Sequence, residues 1–209
     1  MNKSIKTILP LVAFAGLAVS ANAAVTSIDF GNGDSQIGEP SHIDGLTLPG
    51  AGIWNIMNWS AGNVNTIVTA EGPTFSIGSE NVGGWPNGGT DPLRRDYYLN
   101  HATNNPGLVI PWSITGLTAG ASYDLILYSN SSGQRGLFKI GAVTAPGDSD
   151  GDGNFTGVVA TGGTISGTFE TGGATWGTFA GIQFAPVPEP STTALLGLGG
   201  LALILRRRK

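Results

Sequence analysis

From Ala24 to Pro186 the chain alternates short apolar runs with clusters of Gly, Pro, Asn, Asp and Ser, and no stretch there keeps a 3.6-residue apolar period. Runs of this length bounded in this way read as strands. The pattern predicts strands over Val25–Phe30, Gly52–Met57, Val64–Ala70 and Thr74–Ile77, then a long loop over Gly78–Asp96. Further strands are predicted over Leu108–Ile114, Tyr123–Ser129, Gly136–Val143, Phe155–Ala160, Thr164–Phe169 and Thr175–Phe184. Ile114 to Tyr128, reading ITGLTAGASYDLILY, is strand, glycine turn, strand. In the last run Trp176, Ala180, Ile182 and Phe184 fall on one face under a two-residue period. Many short strands at hairpin spacing are the mark of a sandwich or barrel. The expectation is an all-β body, a single antiparallel β-sandwich over residues 24–186.

The two ends break this pattern. Lys3 and Lys6 precede an apolar stretch from Ile8 to Val19, and Ala21-Asn22-Ala23 supplies an A-x-A site, so residues 1–23 read as a signal peptide cut before Ala24. The Sec machinery and signal peptidase are the partners this implies. At the other end, residues 187–209 hold Pro188, Glu189 and Pro190, an uncharged apolar run from Ala194 to Leu205, and the cations Arg206, Arg207, Arg208 and Lys209. The prolines forbid a helix across the triplet, because each fixes φ and lacks an N–H. Twelve apolar residues span only about 18 Å as a helix against a hydrocarbon core of about 30 Å, so the segment reads as a short transmembrane helix suited to later removal. A basic cluster beside an apolar helix stays cytoplasmic, which puts the body on the other side of the membrane.

This order of Pro-Glu-Pro, apolar helix and basic end resembles the PEP-CTERM sorting signal of Gram-negative bacteria. The resemblance implies recognition and cutting near Pro188-Glu189-Pro190 by exosortase, a membrane protease, after a transient stay in the inner membrane. Delivery to the outer envelope or the extracellular space would follow. A second resemblance rests on Ile28-Asp29-Phe30-Gly31, Trp54-Asn55, the Ile114–Tyr128 hairpin and Phe179-Ala180-Gly181-Ile182-Gln183-Phe184. These look like the bodies of many proteins sorted in this way, which are jelly-roll sandwiches similar to carbohydrate-binding modules. Such residues mark a fold and carry no catalytic motif.

Charge sharpens the picture once the ends are set aside. Between Ala24 and Pro190 only Arg94, Arg95, Arg135 and Lys139 stand against fourteen acids, a net of −10. Such a body repels nucleic acid and anionic lipid. Cysteine is absent, so no disulfide framework, thiolate metal site or cysteine nucleophile exists, and stability must come from a core. About 165 residues suffice to build one.

Candidate chemistry is sparse. His42 and His101 stand among turn formers with no Ser-x-Gly elbow or His-Glu-x-x-His near them, so no catalytic residue is assigned. The fourteen acids leave a glycoside hydrolase as a third reading, since the separation of a carboxylate pair is spatial. The sharpest constellation is Asp148-Ser149-Asp150-Gly151-Asp152-Gly153, which matches the first half of a calcium loop with Asp148, Asp150 and Asp152 at alternate positions. Position twelve is Val159, so the bidentate glutamate is missing, and the alternative is an acidic Asp-Gly turn. Among the tryptophans, Trp54, Trp112 and Trp176 sit inside apolar runs and read as core. Trp85 sits between glycines and prolines, close in sequence to Tyr97 and Tyr98. A large ring on a loop needs a pocket or a partner. Trp85, Tyr97 and Tyr98 are therefore candidates for contact with extracellular polysaccharide, whose sugar rings offer apolar faces. The leading reading is a structural or interaction component of the envelope or extracellular polymer matrix, followed by a carbohydrate-binding module.

Overall fold

The computed structural model describes residues 24–31, 51–58, 64–78, 83–84, 93, 98–101, 108–129, 136–145, 152–171 and 176–188. Asn22–Val187 is one compact unit. Its strands in chain order are β1 (Val25–Asp29), β2 (Ala51–Ile56), β3 (Asn65–Val68), β4 (Thr74–Ile77), β5 (Gly83–Gly84), β6 (Tyr98–His101) and β7 (Ile110–Thr115). There follow β8 (Ser122–Tyr128), β9 (Leu137–Ile140), β10 (Val143–Thr144), β11 (Gly153–Val159), β12 (Ile165–Glu170), β13 (Trp176–Phe179) and β14 (Gly181–Pro186). One sheet has the order β11-β8-β14-β1-β2, a second β10-β9-β12-β7-β4-β3, and a small third β13-β6-β5.

The two large sheets face each other across one core, as a sandwich requires. Tyr123, Leu125, Leu127, Ile182 and Phe184 of the first sheet meet Phe75, Ile110, Trp112, Ile114, Phe138, Ile165 and Phe169 of the second. Strand β7 shows why the sequence folds this way: Ile110, Trp112 and Ile114 are buried while Pro111 and Thr115 between and beyond them are exposed. At the centre Phe179 is fully buried and packs against the rings of Phe30, Phe75, Phe138 and Phe169. The Trp112 ring lies over the neighbouring strand at Gly167, where an added Cβ would collide with it.

The first sheet is covered on its outer face as well. Strand β8 turns Tyr123, Leu125 and Leu127 into the main core and Ile126 and Tyr128 the other way, into a second cluster with Trp54, Leu93 and Ala180. That explains the nearly unbroken apolar run of β8, since a strand buried on both faces has no polar alternation to show.

Four details depart from the sequence expectation. The sandwich is not wholly antiparallel, because β1 and β2 pair in parallel, Ser27 opposite Trp54; a return to the same end needs a long connection, and 21 residues separate Asp29 from Ala51. Gly136–Val143 is two strands, β9 and β10, folded about Gly141 at φ 58°, a conformation glycine adopts without strain. The expected loop over Gly78–Asp96 contains β5, and β6 follows it unforeseen. The last run breaks at Ala180: Phe179 and Ile182 enter the main core, whereas Ala180 joins the outer cluster, so Ala180 does not share a face with Ile182 and Phe184. Here the chain passes from the small sheet to the first sheet, with Ala180 N–H bonded to Tyr128 O and Ala180 O accepting from Phe30 N–H.

Candidate functional site

Strand directions sort the connections onto two ends, except 30–50, which runs from one end to the other because β1 and β2 are parallel. Strand β14 runs out to Pro186 opposite Tyr123, and Val187 N–H then donates to Ser122 O at 2.8 Å, so the chain leaves the body beside the start of β8. At this tail end the connections 69–73, 116–121 and 160–164 are short. The last two are laced together by Leu117 N–H to Gly163 O and Gly120 N–H to Ala160 O. Tyr123 Oη accepts Thr118 N–H and closes the 116–121 turn over the strand that begins there. A cavity of about 380 Å³ opens at this end, its wall including Ala24, Glu71, Pro73, Leu117, Thr118 and Pro186.

The far end is built differently. The antiparallel pairing of β4 with β7, Ile77 opposite Trp112, means that the chain from 78 to 109 departs and returns there. The connections 129–136 and 171–175 do the same, because β8 and β12 both run towards this end. Their feet are tied by a buried polar junction. Ser129 N–H donates to Asp152 Oδ1 at 2.7 Å, Ser129 Oγ lies 2.9 Å from Thr178 Oγ1, and Gly136 N–H donates to Ser129 Oγ at 3.1 Å. Ser129, Asp152 and Thr178 are all fully buried. Strands that diverge into different sheets leave backbone groups without ladder partners, and side-chain oxygens satisfy them here. The spot is tight: a Cβ on Gly136 would stand 2.6 Å from Thr178 O and 2.8 Å from the Phe169 ring.

Between the ends, the outer face of the first sheet carries a chain of hydrogen bonds across three strands. Tyr128 Oη donates to Gln183 Oε1 at 2.7 Å, and Gln183 Nε2 donates to Ser27 Oγ at 3.0 Å. These are buried, and each group has its partner within the row. Leu93 lies over Gly181 in the same face and, with the pairing of β6 to β13, fastens the 78–109 connection to the body.

Among the residues singled out from sequence, Trp54 and Trp112 are buried, in the outer cluster and the main core respectively. Tyr98 lies in β6, where it pairs with Gly84 on one side and Phe179 on the other. The described ladder ends at Gly84 and Tyr98, each one residue in sequence from Trp85 and Tyr97 respectively. Asp152 is not a solvated turn residue but a buried anchor of the Ser129 backbone. The residue at loop position twelve, Val159, ends a strand paired with β8, so residues 153–159 do not wrap a cation as the second half of a calcium loop would. Pro188 is exposed just past the last backbone bond, and Ala24 is exposed at the head of β1. Ala21, Ala23, Trp85, Tyr97, Asp148, Asp150, Glu189, Pro190, Arg206, Arg207, Arg208 and Lys209 lie outside the described residues, and so does His42. Lys139, one of the body's few cations, is paired with Glu170 at 2.8 Å. The junction at Ser129, Asp152 and Thr178 was not read from sequence. Asp152 directly precedes an apolar strand, a place where ladder bonds run out, and that was the available signal.

Residues 186–209 match the PEP-CTERM protein-sorting motif. The tail is thus similar to a PEP-CTERM sorting signal. This indicates an exported protein sorted by exosortase, which is the processing partner the signal implies. Pro186 and Val187, the first residues of the match, are the same residues whose pairing with β8 ends the body. Among the described residues no helix is long and apolar enough to cross a membrane; the apolar run of the signal is not among them. No curated protein matches the chain. Among solved structures, the Bacillus subtilis protein YXIM is similar with 14% identity and a TM-score of 0.44 over 78% of this chain and 40% of that one. The chain thus spans about two fifths of that protein's length.

Proposed function

We propose that the exported body is a structural or interaction component of the cell envelope or extracellular polymer matrix, and that it holds polysaccharide at its far end in the manner of a carbohydrate-binding jelly roll. The observation that carries this reading is the division of the body into two unlike ends. The sorting signal leaves at the end with short bonded turns, and the connections 78–109, 129–136 and 171–175 gather at the other, while 30–50 runs from one end to the other. Binding residues concentrate on such connections when a rigid scaffold fixes their feet, as the Ser129 junction does here. Trp85, Tyr97 and Tyr98 belong to the longest of them, and the Gly84–Tyr98 pair ends next to the first two.

Trp85→Ala in the processed protein is expected to weaken retention on extracellular polymer roughly two- to tenfold, the range of about 0.5–1.5 kcal/mol for one stacked ring. Its melting temperature should stay within a few degrees of wild type. Unchanged retention in a pull-down series would overturn the assignment, and so would a fall in stability of the size a core aromatic gives.

Calcium is the cofactor this end would take, with Asp148 and Asp150 as ligands beside the fixed Asp152. Millimolar calcium is then expected to raise the melting temperature, because a ligand bound only by the folded state stabilises it. Asp150→Ala should abolish that rise. Asp152→Ala differs, because the Ser129 N–H would lose its partner in a buried place: it should cost about 1–3 kcal/mol with calcium or with chelator. Coincident wild-type melting curves in calcium and in chelator would leave Asp152 as an anchor alone.

A further inference from the structure

We propose that the tail end of the body is a docking surface for exosortase, with the cavity beside Pro186 as the point of contact. The inference rests on exosortase processing of the tail and is independent of what the far end binds. Three observations meet here. First, no linker separates the body from the sorting signal. Tyr123 pairs with Pro186, and Val187 is bonded to Ser122, so the chain is held in the sheet into the first residues of the motif. From Val187 to Ala194, where the apolar run begins, the chain reaches at most roughly 25 Å even when fully extended, and Pro190 lies within about 10 Å of Val187. A protease that grips Pro188-Glu189-Pro190 must therefore work against the face from which these residues emerge.

Second, that face is made to be approached. Its turns 69–73, 116–121 and 160–164 are short and internally bonded, with Gly72 N–H on Thr69 O, Ala121 N–H on Thr118 O and Thr164 N–H on Thr161 O. Interfaces whose backbones move little on binding are those already ordered in this way. Third, the face is not flat. The cavity of about 380 Å³ has Pro186 in its wall, apolar surface from Pro73 and Leu117, and polar groups from Glu71 and Thr118. Glu71 is exposed, and its Oε2 accepts from Asn55 Nδ2 at 3.0 Å, which orients the carboxylate. An apolar socket with one oriented carboxylate at its edge fits an arginine or lysine side chain, whose stem packs on apolar surface while its head takes the charge. The occupant is thus a basic side chain on the outward-facing surface of the protease.

The absence of cysteine makes the test clean, since each introduced thiol is the only one in the chain. Ala70→Cys and Ala119→Cys place an exposed thiol at the tail end, and Val64→Cys and Val109→Cys place one at the far end. The unprocessed full-length chain, held in membranes, is modified with a maleimide of about 5 kDa, exosortase-containing membranes are fused to it, and tail cleavage is followed by mass spectrometry. Tail-end adducts should slow cleavage at least tenfold while far-end adducts leave it within twofold. Equal cleavage of all four adducts would overturn the docking surface, and so would equal blockage of all four. In the unmodified chain, Glu71→Lys should slow cleavage at least fivefold with the melting temperature within a few degrees of wild type. Cleavage of Glu71→Lys at the wild-type rate would remove the cavity as the contact. Failure of the unmodified parent chain to be cut at all would instead overturn the exosortase reading itself, and the docking surface with it.

Discussion

Phe179→Ala is expected to lower the stability of the body by about 3–5 kcal/mol, the range of a fully buried aromatic. Phe179 is fully buried at the crossing of all three sheets, being the last residue of β13 in the small sheet while its ring stands in the main core. Its ring centroid lies 4.8 Å from those of both Phe30 and Phe138, 5.6 Å from that of Phe169 and 6.2 Å from that of Phe75. Removing it opens a cavity whose walls cannot close in, because Phe75, Phe138 and Phe169 come from strands paired on both sides and Phe30 is held through its N–H to Ala180 O. The cost therefore includes the cavity as well as the lost transfer of the ring from water. At roughly 2–4 °C per kcal/mol for a body of this size, the melting temperature should fall by about 6–20 °C. With no disulfide to limit the unfolded chain, such a loss is a large share of a typical 5–15 kcal/mol. Val143→Ala, on an exposed position, is the control and should change stability by less than about 0.5 kcal/mol. A Phe179→Ala melt within a degree or two of wild type would show that the ring cluster is not the centre of the core.

Much of this fold is legible in the chain because alternation and turn residues are local. The β7 run Ile110-Pro-Trp-Ser-Ile114 states its faces outright and forms as read, and Ile114–Tyr128 is strand, glycine turn, strand, but β7 and β8 belong to different sheets, so the turn crosses the sandwich and the expected hairpin does not form. What escapes is decided over long distance. Tyr98-Leu-Asn-His101 has neither the length nor the pattern of a strand, and it becomes one because β13 and β5 lie on either side of it. The outer cover of the first sheet is equally silent, since Ile126 and Tyr128 read as ordinary apolar positions until Leu93 and Trp54 are found packed with them. The break at Ala180 follows from the same cause, a strand asked to serve two sheets in turn. As for the sites, the sorting signal is legible because it is contiguous and its chemistry is a sequence of segments. The junction at Ser129, Asp152 and Thr178 is drawn from three places in the chain, and an aspartate among glycines reads as solvated when it is in fact buried.

The second large effect is expected at the chain's other pole. Replacing Arg206, Arg207, Arg208 and Lys209 together by neutral residues should abolish most tail processing and reduce delivery of the mature protein several-fold. The apolar run they follow is about 18 Å long as a helix, too short to sit at a fixed depth in a core of about 30 Å by its hydrophobicity alone. Gly197, Gly199 and Gly200 weaken that helix further. With the run read from sequence as a membrane span, the four cations would supply the fixed point, because drawing each through the bilayer centre costs about 2.5–3.5 kcal/mol, while their long stems would reach the cytoplasmic interface from within the core. Neutral replacements lose both effects. The tail is then free to slip through the membrane or to lodge at the wrong depth, and Pro188-Glu189-Pro190 no longer stands at a set height above it. The body, pinned at Val187 directly before that triplet, has no slack with which to correct the error. Unprocessed chain should therefore appear in the soluble fraction with its C-terminal residues intact by mass spectrometry. Restoring four lysines should recover processing, since charge and reach are what the position asks for. An unchanged mature C-terminus and an unchanged surface yield in the neutral variant would show that the apolar run and Pro-Glu-Pro alone set the depth of the signal.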